Sequence, residues 1–232
     1  MLRLATWNCC AGPLARKLDV AATLKADILV VPECPAFPEK RAGHFWTGTS
    51  PRKGLAVIAS QEFSLRRATR RTLPEFVVPL MVEGPVSFLL LAVWMKGKGP
   101  DRYVRGLNRA IDSCRALIRR HPTVVLGDFN SNAIWDHEHP NGLNHSSLVT
   151  RLGDLGLESA YHASRKEPHG KEKEPTFYFY RRKTIPYHLD YCFIPRPWLP
   201  SVREVGVGEW KAWRKESDHA PVWCDLALGR PR

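Results

Sequence analysis

The amino-acid sequence predicts an α/β protein in which strands and helices pack in layers. Short apolar runs, mostly rich in β-branched or aromatic residues and often bounded by Gly, Pro or Asp, are typical of strands. Longer stretches with apolar residues at helical spacing are typical of amphipathic helices. Because helices separate some predicted strands whereas others follow one another directly, we expect a mixed sheet, or two sheets packed face to face with helices outside.

The predicted elements run along the whole chain. Strands are predicted at residues 2–7, 28–31, 55–59, 76–82, 86–94, 124–126, 189–194 and 222–228. Helices are predicted at residues 14–25, 105–119 and from 146 to about 155; the second places Leu107, Ile111, Cys114 and Ile118 on one face. Residues 167–175 are rich in Lys, Glu, Gly and Pro, a composition that predicts a mobile loop.

Length and composition are those of an ordinary globular protein. With 232 residues, of which 44% are hydrophobic and 25% charged, the chain can bury one sizeable core, and disordered and fibrous classes are excluded. We see neither a repeat nor a dividing linker. Residues 1–232 are therefore expected to form a single domain.

The charge balance points to an acidic partner. Lys and Arg outnumber Asp and Glu by 35 to 23, and the resulting net charge of +12 would attract a polyanion through long-range steering. A coding sequence that simply enriches Arg is the alternative explanation.

Cysteine usage and hydropathy bear on the compartment. The six cysteines contain no CxxC pair and suggest neither a zinc knuckle nor a disulfide framework, so reduced thiols in a cytoplasm fit best. The first residues do not resemble a signal peptide, and no apolar run approaches the roughly 20 residues of a membrane span. A cytoplasmic protein that does not contact membranes is expected; the sequence does not indicate its oligomeric state.

Five short polar motifs stand at or near the ends of predicted strands. They are Trp7-Asn8, Pro32-Glu33, Gly127-Asp128-Phe129-Asn130, His188-Leu189-Asp190-Tyr191 and Ser217-Asp218-His219-Ala220-Pro221. In the third motif the two polar side chains would project from the same side if the chain stays extended. In the fourth, a carboxylate among apolar strand residues needs a partner, and the histidine of the fifth fits that need.

In this order the five motifs resemble the landmarks WN, (Q/P)E, GD(F/M)N, (R/H)(I/L)D and SDH of the endonuclease/exonuclease/phosphatase superfamily. Each is weak alone, but the ordered set is specific and spans positions 7 to 221. The resemblance, which extends to exonuclease III-like, apurinic-endonuclease-like and DNase I-like proteins, implies a four-layer α/β sandwich. Two mixed β-sheets would pack face to face with helices outside.

The resemblance also implies a hydrolytic centre. Phosphodiester hydrolysis needs a positioned water, an orienting carboxylate and positive charge on the phosphate oxygens, much of which a hard cation supplies. The implied cofactor is Mg²⁺, with Mn²⁺ as a substitute. Glu33 would be its principal ligand, with Asn8 beside it and Asp218 closing the site directly or through water.

The remaining motif residues receive catalytic roles from the same resemblance. Asp128 and Asn130 would orient the attacking water and a phosphate oxygen. His219 would donate to the phosphate while Asp190 holds its imidazole in place. This set contains no serine nucleophile, so direct attack by water without a covalent intermediate is implied.

The sequence departs from the superfamily pattern at two places. Cys10 stands where many relatives carry a second carboxylate, which puts a second metal position in doubt. Many relatives also end the central strand with a phosphate donor, whereas this chain has Trp94, which we interpret as a core aromatic. The donor would come instead from Lys96, Lys98 or Tyr103.

Basic segments interleaved with aromatics favour nucleic acid as the partner, and DNA in particular. The basic segments are residues 66–71, 96–105, 181–183 and 210–215, each of which is alternatively solvated surface charge. Arg181, Trp210 and Lys211 precede catalytic motifs and are predicted to line the rim of the site. One or both of Tyr178 and Tyr180 are expected to be exposed near the substrate.

The sequence leaves other functions open. One alternative is an RNase, or a phosphatase that acts on a small phosphorylated molecule; another is a non-catalytic nucleic-acid-binding module. Residues 132–145 contain several His and acidic residues and are interpreted as a polar surface loop, with pocket formation or binding of another metal as alternatives.

Overall fold

A computed structural model describes residues 1–69, 73–74, 76–97, 99 and 102–228. The strands of this part of the chain are β1 (Leu2–Thr6), β2 (Ile28–Cys34), β3 (His44–Ser50), β4 (Lys53–Ala59), β5 (Ser64–Arg67), β6 (Val77–Glu83), β7 (Phe88–Trp94), β8 (Thr123–Asp128), β9 (Leu157–Ser159), β10 (Phe177–Tyr178), β11 (Pro186–Tyr187), β12 (Asp190–Pro195), β13 (Val202–Val207) and β14 (Val222–Leu226). The α-helices are α1 (Leu14–Ala22), α2 (Val104–Arg120), α3 (His145–Asp154), α4 (Ala160–Arg165) and α5 (Trp210–Trp213).

Twelve of the strands form two mixed six-stranded sheets. The first sheet has the order β13-β14-β1-β2-β4-β3, and the second has the order β5-β6-β7-β8-β12-β9. Parallel pairing occurs between β1 and β2 and between β7 and β8, and the other neighbours within these sheets are antiparallel. The short strands β10 and β11 form a separate hairpin.

The largest apolar cluster lies between the two sheets. It contains Leu4 and Val57 from the first sheet and Leu90 and Leu126 from the second. Helices α2 and α3 cover the outer face of the second sheet, where Ile111 packs with Leu91 and Val125. On the outer face of the first sheet, α1 packs with Trp7. The architecture is therefore the predicted α/β sandwich of two packed sheets with helices outside.

The predicted elements are largely confirmed, whereas several strands were not predicted. All eight predicted strands and all three predicted helices are present, with ends shifted by a few residues. Within the two six-stranded sheets, the unpredicted strands β3, β5, β9 and β13 are the four edges. An edge strand is paired on one side only and can carry polar residues, so it lacks the continuous apolar run that identifies a central strand.

Two further sequence expectations concern the surface. Residues 167–175 form a loop as predicted, but Glu172 in this loop has a side chain only 4% exposed and hydrogen-bonded, which argues against a loose segment. Within the described residues, no helix combines the length and apolar character needed to span a bilayer.

Candidate active site

The sandwich gathers the motif residues at one end of both sheets. Asn8 lies two residues after the end of β1, and Glu33 is the last residue but one of the parallel strand β2, which places both residues at the same edge of the first sheet. In the second sheet, Asp128 at the end of β8 pairs directly with Asp190 at the start of the antiparallel strand β12. The chain reaches β14 through His219, beside the end of β1. Distant segments thus converge as the sequence motifs required.

The best-defined pair in the site is His219 with Asp190. The His219 Nδ1 lies 2.8 Å from the Asp190 Oδ2, and both side chains are buried. The Asp190 backbone N–H in turn donates to the Thr176 hydroxyl at 3.1 Å. The expected partner of the Asp190 carboxylate is therefore present, and this contact fixes the imidazole with its Nε2 directed away from Asp190.

Asp128 accepts hydrogen bonds from both neighbouring amides. Its Oδ2 accepts from Asn8 Nδ2 at 2.9 Å and from Asn130 Nδ2 at 3.0 Å, while its Oδ1 accepts from the Asn130 backbone N–H at 2.9 Å. Asn130 has φ 46°, so the chain does not stay extended as the sequence argument assumed. The two side chains meet because the backbone turns, and Asn130 is anchored further by donating to the Met95 carbonyl at 2.9 Å.

The backbone at the end of β8 depends on a glycine. Gly127 has φ 143°, and a Cβ at this position would lie 1.9 Å from the Val93 carbonyl oxygen of the neighbouring strand. Only glycine permits both this backbone conformation and this close approach. The Gly in the Gly-Asp-Phe-Asn motif therefore sets the position of Asp128.

The loop that carries His219 is held to the end of β1. The Ser217 hydroxyl donates to the Asn8 carbonyl at 2.7 Å and accepts from the His219 backbone N–H at 2.9 Å. The Trp7 indole donates to the His219 carbonyl at 3.2 Å. The first and last motifs in the sequence are thus bound to each other, which explains why Trp and Ser accompany the polar residues.

Burial shifts the protonation of this cluster. Burial, together with the charge of Asp190, raises the pKa of Asp128 to about 7. Burial alone would lower the pKa of His219, but the negative charges of Asp190 and Asp128 raise that pKa to about 10. The imidazolium form is therefore favoured at neutral pH, and it lies between two carboxylates.

Asp128, Asp190 and His219 also bring three ligating atoms within 4.8 Å of one another. The His219 Nδ1 is already engaged with Asp190, and a charged imidazolium has no free lone pair for a metal ion. The His219 Nε2 lies 4.0 Å from Asp128 Oδ2, too far for a hydrogen bond. We therefore interpret this trio as an acid–base group whose Nε2 proton can be donated to a substrate.

Glu33 leaves the regular pairing of β2 at a bulge. The register between β2 and β4 shifts between Pro32 and Cys34, and Glu33 has φ 61°. Such a bulge re-aims a side chain at the end of a strand. The Glu33 Oε2 lies 2.6 Å from the Lys53 Nζ, with the Glu33 side chain 19% and the Lys53 side chain 45% exposed. Lys53 was not identified from the sequence, because it stands in no motif.

The charges of Glu33 and Asp218 both influence the Cys10 thiol. Burial raises the pKa of the Cys10 thiol, and the charges of Asp218 and Glu33 raise it further. Both carboxylates are therefore close enough to act on one thiol. The Cys10 backbone N–H also donates to the Asn8 Oδ1 at 3.0 Å. Cys10 thus lies against Asn8 and within the electrostatic reach of Glu33 and Asp218.

The predicted substrate residues differ in accessibility. Lys96 lies over the rings of Trp94 and Phe76, and Trp94 is buried as interpreted from the sequence. Tyr103 is half-exposed and lines a cavity next to Asn130. The third proposed donor, Lys98, lies outside the described residues, as do Arg70 and Arg71 of the first basic segment.

Tyr178 is not the exposed member of the predicted pair of tyrosines. Its side chain is only 8% exposed and packs near Trp210, because β10 turns this face inward. Tyr180 is 72% exposed, in agreement with the expectation that at least one of the two tyrosines faces solvent. Trp210 is partly buried and Lys211 is exposed.

Arg181 is held at the rim by neutral partners. Its guanidinium approaches the Cys10 Sγ at 3.9 Å and the carbonyls of Arg214 and Lys215 at 3.4 Å. These contacts orient the guanidinium without neutralising it. Arg181 therefore brings positive charge to the immediate surroundings of Cys10.

Sequence reasoning missed an aromatic cavity beside Asn130. The cavity has a volume of about 330 Å³, and its aromatic lining consists of Tyr103, Trp135, Phe177, Phe179 and Tyr187. The aromatic residues come from three separate segments, so no local sequence signal could have united them. Segment 132–145 shapes this cavity through Trp135, Glu138 and His139, one of its predicted alternatives.

Comparison with known proteins identifies the family. The fold is an α/β sandwich and its site combines carboxylates, amides and a histidine. A family profile described as the Endonuclease/Exonuclease/phosphatase family matches residues 5–219. The chain belongs to this family, which comprises phosphoesterases and nucleases. A comparison with curated proteins gave no significant match.

Solved structures agree with the fold. The endonuclease domain of TRAS1, a telomere-specific non-LTR retrotransposon, has a TM-score of 0.71 at 17% identity, covering 98% of this chain and 99% of that chain. The 3′ phosphatase NExo from Neisseria, bound to a product DNA hairpin, has a TM-score of 0.69 at 20% identity, with 98% and 100% covered. An AP endonuclease from Archaeoglobus fulgidus has a TM-score of 0.71 at 17% identity, with the same coverage.

Proposed function

We propose that the chain is a Mg²⁺-dependent phosphodiesterase that hydrolyses DNA by direct attack of a positioned water, and that residues 1–232 act as one domain. The observation that carries the proposal is the buried Asp190–His219 pair facing Asp128. It offers a proton donor beside an orienting carboxylate. These are two of the elements that water attack on a phosphodiester requires.

Each residue of the cluster has a distinct task in this mechanism. Asp128 accepts a hydrogen bond from the attacking water, and the Asn8 and Asn130 amides hold its carboxylate in place. His219 donates from Nε2 to a phosphate oxygen and thereby stabilises the charge that develops there. Asp190 keeps the imidazole oriented and charged during this step. All of these groups are fixed before the substrate arrives, which lowers the cost of reorganisation.

The residues around Cys10 fit a hard cation. Glu33 and Asp218 contribute carboxylate oxygens and Asn8 an amide oxygen, the ligand types that Mg²⁺ prefers. Neighbouring strands β1 and β2 bring Asn8 and Glu33 to the same sheet edge, and the hydroxyl of Ser217, next to Asp218, donates to the Asn8 carbonyl. Bound there, Mg²⁺ or Mn²⁺ would supply positive charge to the phosphate oxygens. Cys10 in place of a further carboxylate favours a single metal position.

Two surfaces next to the cluster support a polymeric substrate. The aromatic cavity beside Asn130 offers faces for base or sugar packing, and Arg181 offers charge for a neighbouring phosphate. A net charge of +12 extends the positive field well beyond one phosphate group. A small phosphorylated molecule does not need so wide a field. DNA is therefore favoured over a small phosphoester.

The proposal is tested by cleavage assays on plasmid DNA, single-stranded oligonucleotides and a matched RNA. Wild-type protein with Mg²⁺ is expected to cleave DNA, and excess chelator is expected to abolish cleavage. Asp128→Asn should be inactive, whereas Asp112→Asn, a control at an exposed acidic residue of α2, should retain activity. Activity of wild type no greater than that of Asp128→Asn would reject the hydrolytic proposal.

The same assay separates the alternatives. Preferential cleavage of the RNA indicates an RNase, and release of phosphate from small phosphoesters without polymer cleavage indicates a phosphatase. A binding module would shift DNA on a gel in chelator and would never cleave it. Each of these results contradicts the proposal in a different way.

A further inference from the structure

A second group of ionisable side chains lies outside the hydrolytic cluster. His162 on α4 and His169 and Glu172 in the loop that follows bring their ligating atoms within 4.8 Å of one another. The His162 and Glu172 side chains are only 7% and 4% exposed. Nothing in the proposed hydrolytic mechanism uses these three residues. A partly buried group of two imidazoles and one carboxylate therefore calls for a separate explanation.

We propose that His162, His169 and Glu172 form a binding site for a single Zn²⁺ ion, distinct from the hydrolytic centre. Two imidazole nitrogens and one carboxylate oxygen are a common zinc ligand set, and a fourth position can hold water or another side chain. Mg²⁺ is disfavoured at such a site because it prefers oxygen ligands throughout.

The spacing of the ligating atoms is close to that of a tetrahedral site. The His162 Nε2 lies 3.0 Å from the Glu172 Oε1. Zn–N and Zn–O distances near 2.1 Å place two tetrahedral ligands roughly 3.4 Å apart. The zinc ion would replace the proton that these two atoms share. The rings of His162 and His169 stack at 3.5 Å, and they would splay as both turn toward the ion.

Each ligand is oriented by a second hydrogen bond. The His162 Nδ1 lies 2.7 Å from the Ser159 hydroxyl, which leaves Nε2 to face Glu172. The Glu172 Oε2 accepts from Asn132 Nδ2 at 3.1 Å, and the Gly170 backbone N–H donates to Oε1 at 3.0 Å. Such outer contacts fix the tautomer and the direction of metal ligands.

Two more histidines lie against this group. The His145 Nε2 is 3.1 Å from the His169 Nδ1, and the ring centroid of His188 is 5.9 Å from that of His162. Within the described part of the chain, the buried His188 Nε2 has no hydrogen-bond partner. Its Nδ1 lies 2.8 Å from the Glu174 carbonyl and must donate to it, so Nε2 carries the lone pair. One of these histidines is the natural candidate for the fourth ligand.

An entry route is present. His162 and His169 form part of the wall of a surface cavity of about 500 Å³, together with Glu158, Lys166 and Phe193. A hydrated ion can therefore reach both imidazoles from solvent without crossing the hydrolytic centre.

The site would stabilise the segments that position Asp190 in the hydrolytic centre. The Asn132 amide that holds Glu172 also donates to the His188 carbonyl at 3.0 Å, two residues before Asp190. The loop of His169 and Glu172 leads into Thr176, whose hydroxyl accepts from the Asp190 N–H. Zinc binding would thus restrain both segments that position Asp190, which gives the site a structural function.

Calorimetric titration with Zn²⁺ tests the proposal. The protein is first treated with chelator, and excess Mg²⁺ is present to occupy hard-cation sites. Wild type is expected to bind one equivalent of Zn²⁺. His169→Gln and Glu172→Gln should each weaken binding at least about tenfold. Two controls should bind as wild type does: His137→Gln at an exposed histidine, and Glu33→Gln at the hydrolytic centre. Unchanged affinity in His169→Gln, or its loss in Glu33→Gln, would overturn the proposal.

Spectroscopy on the wild-type protein gives a second test that does not depend on whether the variants fold. Co²⁺ substituted for Zn²⁺ should give the intense visible bands of a tetrahedral site without thiolate charge transfer. Thiolate bands would instead assign the ion to cysteine. Weak octahedral bands, or no binding, would show that the four histidines form a hydrogen-bond network without a tetrahedral metal site. Either result contradicts the proposal.

Discussion

The Glu33 carboxylate lies 2.6 Å from the Lys53 ammonium at the edge of the hydrolytic centre. Lys53 also approaches the face of Trp94, which itself lies beneath Lys96. The proposed principal metal ligand therefore has a counter-ion. A Mg²⁺ ion bound at Glu33 would have to share the carboxylate with this ammonium or displace it.

This relationship predicts that Lys53 opposes metal binding. Lys53→Gln should lower the half-saturating Mg²⁺ concentration for DNA cleavage by about two- to fivefold, the effect of a partly exposed ion pair. The measurement is the initial cleavage rate as a function of Mg²⁺ concentration. Lys173→Gln removes an exposed lysine that pairs with Glu167 and should not alter the titration. A higher Mg²⁺ requirement in Lys53→Gln would show that Lys53 assists the metal site instead.

The close approach of Gly127 to β7 predicts a large loss of stability on substitution. A Cβ would collide with the Val93 carbonyl, so Gly127→Ala should lower the free energy of unfolding by about 3 kcal/mol or more. Gly153→Ala is the matched control, because no atom lies within 4 Å of its added Cβ and the residue is helical. That variant should gain about 0.5–1 kcal/mol. Urea denaturation measures both, and equal midpoints would contradict the argument.

The buried histidines predict that stability falls in mild acid. Burial lowers the pKa of His145 to about 4, whereas a histidine in the unfolded chain titrates near 6.5. Between these pH values the unfolded chain binds a proton that the folded protein does not. Each such group should therefore remove about 1.4 kcal/mol of stability per pH unit as pH falls from 6.5, and the raised pKa of Asp128 partly offsets this loss.

Urea midpoints measured in chelator across this pH range test the effect. His145→Gln should have a flatter pH dependence than wild type, and His137→Gln, at an exposed position, should follow wild type. A slope unchanged in His145→Gln would mean that His145 is charged in the folded protein.

The position of Arg181 predicts a phosphate contact. Its partners are a thiol and two carbonyls, so its charge is available to the substrate. Arg181→Gln should weaken DNA binding and reduce the slope of log Kd against log salt by about 0.9, the value for one phosphate contact. Arg196→Gln, whose guanidinium pairs with Glu158, should leave the slope unchanged. Equal slopes for wild type and Arg181→Gln would exclude the contact.

The central strands could be predicted from the sequence because residues buried on both faces of a sheet form continuous apolar runs. The runs around Leu90 and Val125 are continuous and apolar, since both faces of these strands are covered. Edge strand β3 carries Thr47, Thr49 and Ser50 and gives no such signal. The order of the strands within each sheet could not be predicted either, because it depends on pairing between distant segments.

The candidate site shows the same division. Asp190 could be matched with His219 because a buried carboxylate requires a partner, and the contact is present. The Lys53 contact, by contrast, arises from the bulge at Glu33, which no sequence periodicity indicates. The sequence did not indicate which of Tyr178 and Tyr180 is exposed, because β10 is only two residues long and no extended alternation shows that Tyr178 is buried.

The central claim is that Asp190 and His219 act on the phosphate as one unit. Single-turnover cleavage of labelled DNA tests it most directly, with wild type, Asp190→Asn, His219→Asn and the double variant. Residues that act as one unit are non-additive, so each single variant should lose about 10²- to 10⁴-fold in rate and the double variant little more. Circular dichroism and the Mg²⁺ requirement should be unchanged. Additive losses, or single variants that cleave at the wild-type rate, would contradict an Asp190–His219 pair that acts on the phosphate.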